Sequence, residues 1–161
     1  MFNVGDYTFA PWKVVWRGEV ATALVTAVVS LHNGKVVVPD QTAYMIPFED
    51  KDAAHFLCAL MNSVIVRLVY LMHTYKHVSM SFVQRLTLPQ YDPGQVGHKQ
   101  LSLLSQRAHE LAPRAYHGDE AAQAELRQVE EDIDRAAAQL WGLSEEELAE
   151  IKRSLEELKG A

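Results

Sequence analysis

Residues 75–85 concentrate side chains that suit contact with a nucleic acid. Cationic groups in this segment can bind phosphate, hydroxyl and amide groups can bond to base edges, and an aromatic ring can stack. The alternative, without a nucleic-acid contact, is an ordinary strand with its polar residues facing water. The candidate residues here are Tyr75, Lys76, His77, Ser79, Ser81, Gln84 and Arg85.

Three earlier cations, Lys13, Arg17 and Lys35, are candidates for the same surface. The net charge of −6 argues at first against a polyanionic partner. The charge is unevenly distributed, however. Residues 1–90 hold seven Lys and Arg against six Asp and Glu, whereas residues 91–161 hold eight against fifteen. The first part of the chain therefore remains compatible with phosphate contacts.

The sequence gives less support to a metal site or to a catalytic cysteine nucleophile. His73 and His77 are four residues apart and His55 precedes Cys58 by three, but neither pair has a nearby third ligand. We interpret Cys58, which is the single cysteine, as a small buried apolar residue in a reducing cytoplasm. A small metal-dependent enzyme is accordingly the weakest of the functional hypotheses.

Catalytic motifs are missing from the sequence. The eight glycines form neither a dinucleotide-binding fingerprint nor a P-loop, and no Gly-x-Ser-x-Gly elbow occurs. A cluster of acidic residues resembles a set of catalytic carboxylates, but helical spacing favours a solvated face. The cluster consists of Glu130, Glu131, Asp132 and Asp134.

The first half of the chain predicts a small sheet followed by one long helix. Apolar runs at 13–17, 21–31 and 43–46 indicate strands, and Asn33-Gly34 predicts a tight hairpin turn, while Pro47 is expected to end the last strand. Asp50 is a suitable cap for a helix over 53–73. This helix is nearly long enough to span a membrane, but Arg67 inside it favours a buried helix. Residues 78–83 alternate polar and apolar, which predicts another strand.

The second half predicts helices. Apolar residues step by three and four along 101–111 and again along 122–140, which predicts an antiparallel helical hairpin broken at 113–119, with Gly118 in the turn. Gly142 is expected to end the second helix. Ser144 and Glu147 form a capping box for a short last helix whose Leu148, Ile151, Leu155 and Leu158 continue the apolar seam.

The predicted fold class is therefore α+β. A small N-terminal sheet packs on a long buried helix, and a helical hairpin with a short capping helix follows. We divide the chain into residues 1–92, an α/β part, and residues 93–161, a helical spacer, within one compact unit. A chain of 161 residues without a signal-peptide pattern fits a cytoplasmic protein with no membrane contact.

The order of these segments resembles the C-terminal target-recognition region of adenine-N6 DNA methyltransferases from restriction-modification systems. Fused restriction–methylation enzymes and related phage-defence methylases are the most similar types. The segments are WKVVWR at 12–17, VVPD at 37–40, YMIP at 44–47, AHFLCALMNS at 54–63, VSMSF at 78–82, LTLP at 86–89, IDR at 133–135 and LWGLSEEEL at 140–148.

The resemblance implies a recognition domain that contacts the major groove of double-stranded DNA, followed by helices that act as a spacer or dimer arm. S-adenosylmethionine and the Asn/Asp-Pro-Pro-Tyr/Phe tetrapeptide belong to an upstream catalytic domain. No two prolines are adjacent here, so the chain is expected to bind no cofactor and to catalyse nothing by itself. Its partners would be DNA, a methyltransferase or nuclease domain or subunit, and a second copy through the helical hairpin. The alternative is a protein–protein interaction module that acts through the acidic hairpin.

Overall fold

β-branched and aromatic residues near the N-terminus form the strands of a small sheet. The computed structural model describes residues 5–18, 24–73 and 80–160. A 3-10 helix at Asp6–Phe9 precedes the strands. The strands are β1 (Trp12–Arg17), β2 (Thr26–Val29), β3 (Leu31–His32), β4 (Lys35–Val36) and β5 (Ala43–Phe48).

Strand β1 is the central strand of an antiparallel sheet with the order β2-β1-β5. In its register, Val14 lies opposite Val28 and Ile46, so apolar residues of all three strands share one face. Pro47 does not end β5 as predicted, because β5 continues to Phe48. A proline is tolerated there because β5 is an edge strand, and its missing N–H leaves no ladder bond unmade inside the sheet.

The predicted long helix is in fact two helices, α1 (Lys51–Asn62) and α2 (Val64–His73), bent by 57°. Ser63 between them has extended backbone angles, and its hydroxyl donates to the Leu60 carbonyl at 2.7 Å. The predicted cap is confirmed, because the Asp50 side chain accepts the Asp52 N–H at 3.0 Å. Within the described ranges, no single helix is long and apolar enough to cross a membrane, and α1 with α2 meets that test only as a bent pair.

Helix α1 is apolar on both sides because it lies between the sheet and the helical half of the chain. Cys58 and Met61 pack with Val14 of the sheet. Phe56 and Leu60 pack instead with residues of the C-terminal helices. Two cores thus meet at one helix, which joins the predicted 1–92 and 93–161 parts through side-chain packing.

The remaining helices are α3 (Met80–Arg85), α4 (Val96–Tyr116), α5 (Glu120–Leu140) and α6 (Glu145–Gly160). Helices α4 and α5 pack along the predicted seam, where Val129 and Ile133 are buried. Gly118 turns the chain with a φ of +91°, and Asp119 caps α5 by accepting the Ala122 N–H at 3.0 Å. Gly142 ends α5 with a φ of +70°. The predicted α+β fold class is confirmed.

The predicted strand at 78–83 is wrong for its described part, because Met80 begins helix α3. Met80, Val83 and Leu86 recur every three residues, and all three pack on the sheet core. The alternation of Met80 with Phe82 satisfied a strand pattern equally well. Packing against α2 and the sheet favours the helical period of three to four residues over the strand period of two.

Two details of the helical half also differ from the sequence analysis. Helix α4 continues through Pro113 to Tyr116, because a proline in the last turn removes only one backbone hydrogen bond. Helix α6 does have the predicted capping box, in which Glu147 accepts the Ser144 N–H at 2.8 Å. Its Leu148 and Leu155 are buried against Val64 of α2, however, and Leu158 is exposed.

Candidate nucleic-acid interface

Helix α3 presents three of the candidate contact residues toward solvent. Val83 is buried in the sheet core, and the Phe82 ring lies edge-on to a tyrosine ring of α2 with centroids 5.7 Å apart. Ser81, Gln84 and Arg85 are exposed. Their spacing of three and four residues places them on one side of the helix. A hydroxyl, an amide and a guanidinium group therefore share a surface held by the core beneath it.

The three earlier cations occupy different environments. Lys13 is 1% exposed, and its ammonium group donates to the Ala10 carbonyl at 2.6 Å. Burial lowers the pKa of Lys13. The Lys13 ammonium group is thus buried and hydrogen-bonded to the backbone. Lys13 therefore does not belong to the exposed surface for which it was a candidate. Arg17 and Lys35 are exposed at the end of β1 and in β4.

Among the candidates that the structure describes, Ser81, Gln84 and Arg85 share helix α3, whereas Lys13 and Arg17 share strand β1, where Arg17 is exposed and Lys13 is buried. Tyr75, Lys76, His77 and Ser79 lie outside the described residues. Their contacts with a nucleic acid stay predictions, as do those of the α3 residues.

Asn62 is a key positioning residue that the sequence analysis did not single out. Its amide forms two hydrogen bonds with the backbone of Thr26, accepting the N–H and donating to the carbonyl, both at 2.9 Å. The amide thereby acts as a further strand partner for edge strand β2. Cys58 lies beside this contact, buried as expected, and burial raises the pKa of its thiol.

His109 is a second anchor of β2. Its Nε2 accepts the Val28 N–H at 2.8 Å, and its Nδ1 donates to the Ser105 carbonyl at 2.7 Å. In this pattern Nε2 is the acceptor and Nδ1 is the donor. The His55 ring is edge-on to His109 with centroids 4.9 Å apart, and His55 Nδ1 is 3.0 Å from the Ser105 hydroxyl. Helix α4 is thus joined to both α1 and β2.

We expect acid to destabilise the protein through His55. Burial, then the proximity of His109 and Lys51, lowers the pKa of His55 to about 4. Between this value and the ordinary 6.5, the unfolded chain binds a proton that the folded chain does not. The contribution of His55 to the free energy of unfolding is therefore fully present above pH 6.5. It falls by about 3 kcal/mol as the pH drops to about 4.

Denaturant unfolding at several pH values measures this effect. The difference in unfolding free energy between the parent and His55→Asn should change across the window, while exposed His117→Asn should follow the parent. Parallel pH profiles for the parent and His55→Asn would show that His55 does not carry this dependence.

A cleft of about 750 Å³ lies between β2 and helices α2, α4, α5 and α6. Arg67 enters it, and its buried Nε has no hydrogen-bond partner among the described residues. Asp134, placed on a solvated face by the sequence analysis, instead accepts the Val64 N–H at 2.8 Å, and burial raises its pKa. Lys152 lies 3.5 Å from Asp134. The cleft thus contains both cationic and anionic side chains, whereas a surface that binds DNA phosphates is mainly cationic.

No glycine is among the described residues that line the cleft. Gly34, Gly118 and Gly142 have positive φ angles and stand in three separate turns.

Comparison with known proteins gives a partial match. The chain is similar to the type II methyltransferase M.NspV of Nostoc sp. (strain ATCC 29411 / PCC 7524), with 34% identity over 70 residues. The match covers 44% of this chain and 14% of the methyltransferase. No family model matches the chain, and no solved structure matches it. Part of the chain is thus related to a segment of a type II methyltransferase.

Proposed function

We propose that the chain is the target-recognition part of a DNA methyltransferase in a restriction-modification system and that it does not itself catalyse methyl transfer. The similarity to 14% of a type II methyltransferase is the observation that carries this proposal. The absence of adjacent prolines and of a glycine-rich loop from the sequence supports a non-catalytic role. S-adenosylmethionine would then be bound by a partner domain or subunit and not by this chain.

Surface chemistry supports the α3 side of the molecule as a DNA contact. Arg85 can bind a phosphate or a guanine, and the Gln84 amide can bond to an adenine edge. The helical half carries fifteen acidic residues among positions 91–161 and would repel a phosphate backbone. Double-stranded DNA is accordingly proposed to approach residues 1–90, centred on 75–85.

We expect Arg85→Ala and Gln84→Ala to affect DNA binding in different ways. Removing the Arg85 charge should weaken binding to all sequences and reduce the slope of log K against log salt by about one. Removing the Gln84 amide should leave general affinity unchanged and cost about 1–3 kcal/mol of discrimination at one base pair. Fluorescence anisotropy with labelled duplexes measures both effects.

Lys99→Ala is the matched control, because Lys99 is an exposed cation on α4 in the acidic half. It should bind like the parent. If Arg85→Ala and Lys99→Ala weaken duplex binding by the same factor, α3 is not the part of the surface that binds DNA.

A second candidate function is association with another protein through the hairpin. Val96 and Leu103, one heptad apart on α4, are 82% and 64% exposed. Together with Leu104 they line one shallow groove on α4, and a contiguous exposed apolar patch is typical of a contact surface. A methyltransferase or nuclease subunit, or a second copy of the chain, is the proposed partner. Light scattering of the parent and of Leu103→Lys distinguishes a dimer from a monomer.

A further inference from the structure

Strands β3 and β4 form a separate two-stranded ribbon. Leu31 pairs with Val36 and His32 pairs with Lys35, and among the described residues neither strand is part of the main sheet. The turn between them has two residues, Asn33 and Gly34, with φ angles of 50° and 73°. Positive φ at both positions is the geometry of the tightest hairpin connection. The ribbon therefore ends in a narrow tip.

The ribbon has one polar face and one apolar face. His32 and Lys35 lie opposite each other and so project to the same side. The Asn33 amide nitrogen is 3.3 Å from His32 Nε2, which places a third polar group at the tip. Leu31, on the other face, is 54% exposed. Both faces of the ribbon are thus accessible to a partner.

The charge of the ribbon differs from that of the whole chain. The ribbon itself, residues 31–36, contains one lysine and no Asp or Glu, and the nearest acidic residue along the chain is Asp40. The whole chain, in contrast, carries a net charge of −6. Within an acidic protein, this exposed segment is compatible with a polyanion.

The root of the ribbon is rigidly held. Ser30 alone separates β2 from β3. The two anchors of β2 act directly before this point, because Asn62 bonds to the Thr26 backbone and His109 accepts the Val28 N–H. A reading element needs such support, since base contacts depend on precise placement.

We infer that the β3–β4 ribbon enters the major groove of double-stranded DNA and reads bases with its tip. The inference rests on the proposed function and adds an element that reads the target. The major groove of B-DNA admits a two-stranded ribbon, and an asparagine amide matches the adenine edge with two hydrogen bonds. Asn33 is assigned to this contact. Lys35 is assigned to a phosphate, and exposed Leu31 fits a thymine methyl group.

Asn33→Gly tests the base contact without disturbing the turn, because glycine adopts positive φ readily. Lys35→Gln tests the phosphate contact. The matched control is Lys99→Gln, an exposed cation on α4. Each full-length variant is used to select duplexes from a pool with a randomised centre, and its affinity for unselected duplex is measured by anisotropy.

For Asn33→Gly we expect the preference for one adenine in the selected duplexes to fall by about 5- to 150-fold, with unchanged affinity for unselected duplex. For Lys35→Gln we expect weaker binding to every duplex and a salt slope reduced by about 0.9. Parent-like selection and affinity in both variants would overturn the ribbon assignment and leave the proposed function standing. A parent chain that binds no duplex would overturn both.

Discussion

Replacing Ile133 by Asp is expected to lower the free energy of unfolding by about 4 kcal/mol. Ile133 is 5% exposed and packs in the core formed by α1, α4 and α5. A carboxylate at this position would lose its hydration inside an apolar seam. The same core includes Phe56 and Leu60 of α1, so the damage should extend beyond the hairpin.

Chemical denaturation followed by circular dichroism measures this change. Ala124→Asp is the matched control, because Ala124 is exposed on the same helix and gains the same charge. The control should lose no more than about 1 kcal/mol, which is the cost of helix propensity. Equal midpoints for Ile133→Asp and the parent would mean that the α4–α5 seam is assigned wrongly.

Replacing Asn62 by Ala is expected to lower the free energy of unfolding by about 3 kcal/mol, since the Thr26 N–H loses its partner and the Thr26 carbonyl keeps only the Cys58 thiol at 3.6 Å. Thr26 is 4% exposed, so water has little access to these groups. The effect should be strongest at β2 and at the ribbon that follows it. Base discrimination should therefore weaken together with stability.

Amide hydrogen exchange gives a local measurement of the Asn62 contact. The Thr26 N–H should lose its protection in Asn62→Ala while amides inside α5 keep theirs under native conditions. Gln100→Ala, which removes an exposed amide from α4, should leave the exchange pattern unchanged. Continued protection of Thr26 in Asn62→Ala would contradict the anchoring role.

Features specified by neighbouring residues could be predicted from the sequence. Asn33-Gly34 fixes a two-residue turn because both positions need positive φ. Ser144 and Glu147 form a capping box through bonds that span three residues. The α4–α5 seam also follows from spacing, because each helix has one apolar stripe.

Features that depend on distant contacts could not be predicted in this way. The helix breaks at Ser63 where Asp134, seventy positions away, accepts the first N–H of α2. From the sequence, Lys13 is expected to be a surface cation. The fold buries it instead, and its ammonium group donates a hydrogen bond to the Ala10 carbonyl. The candidate site is also affected, because helix α3, which stands where a strand was predicted, brings Ser81, Gln84 and Arg85 to one face.

Salt-dependent binding of the parent chain to a short labelled duplex tests the central claim most directly. Four candidate cations carry the proposed phosphate contacts: Arg17, Lys35, Lys76 and Arg85. The logarithm of the binding constant should fall linearly with the logarithm of salt concentration, with a slope of about −3 to −4. Binding that is absent at about 50 mM salt, or that does not change between about 50 and 200 mM, would contradict a DNA-recognition function.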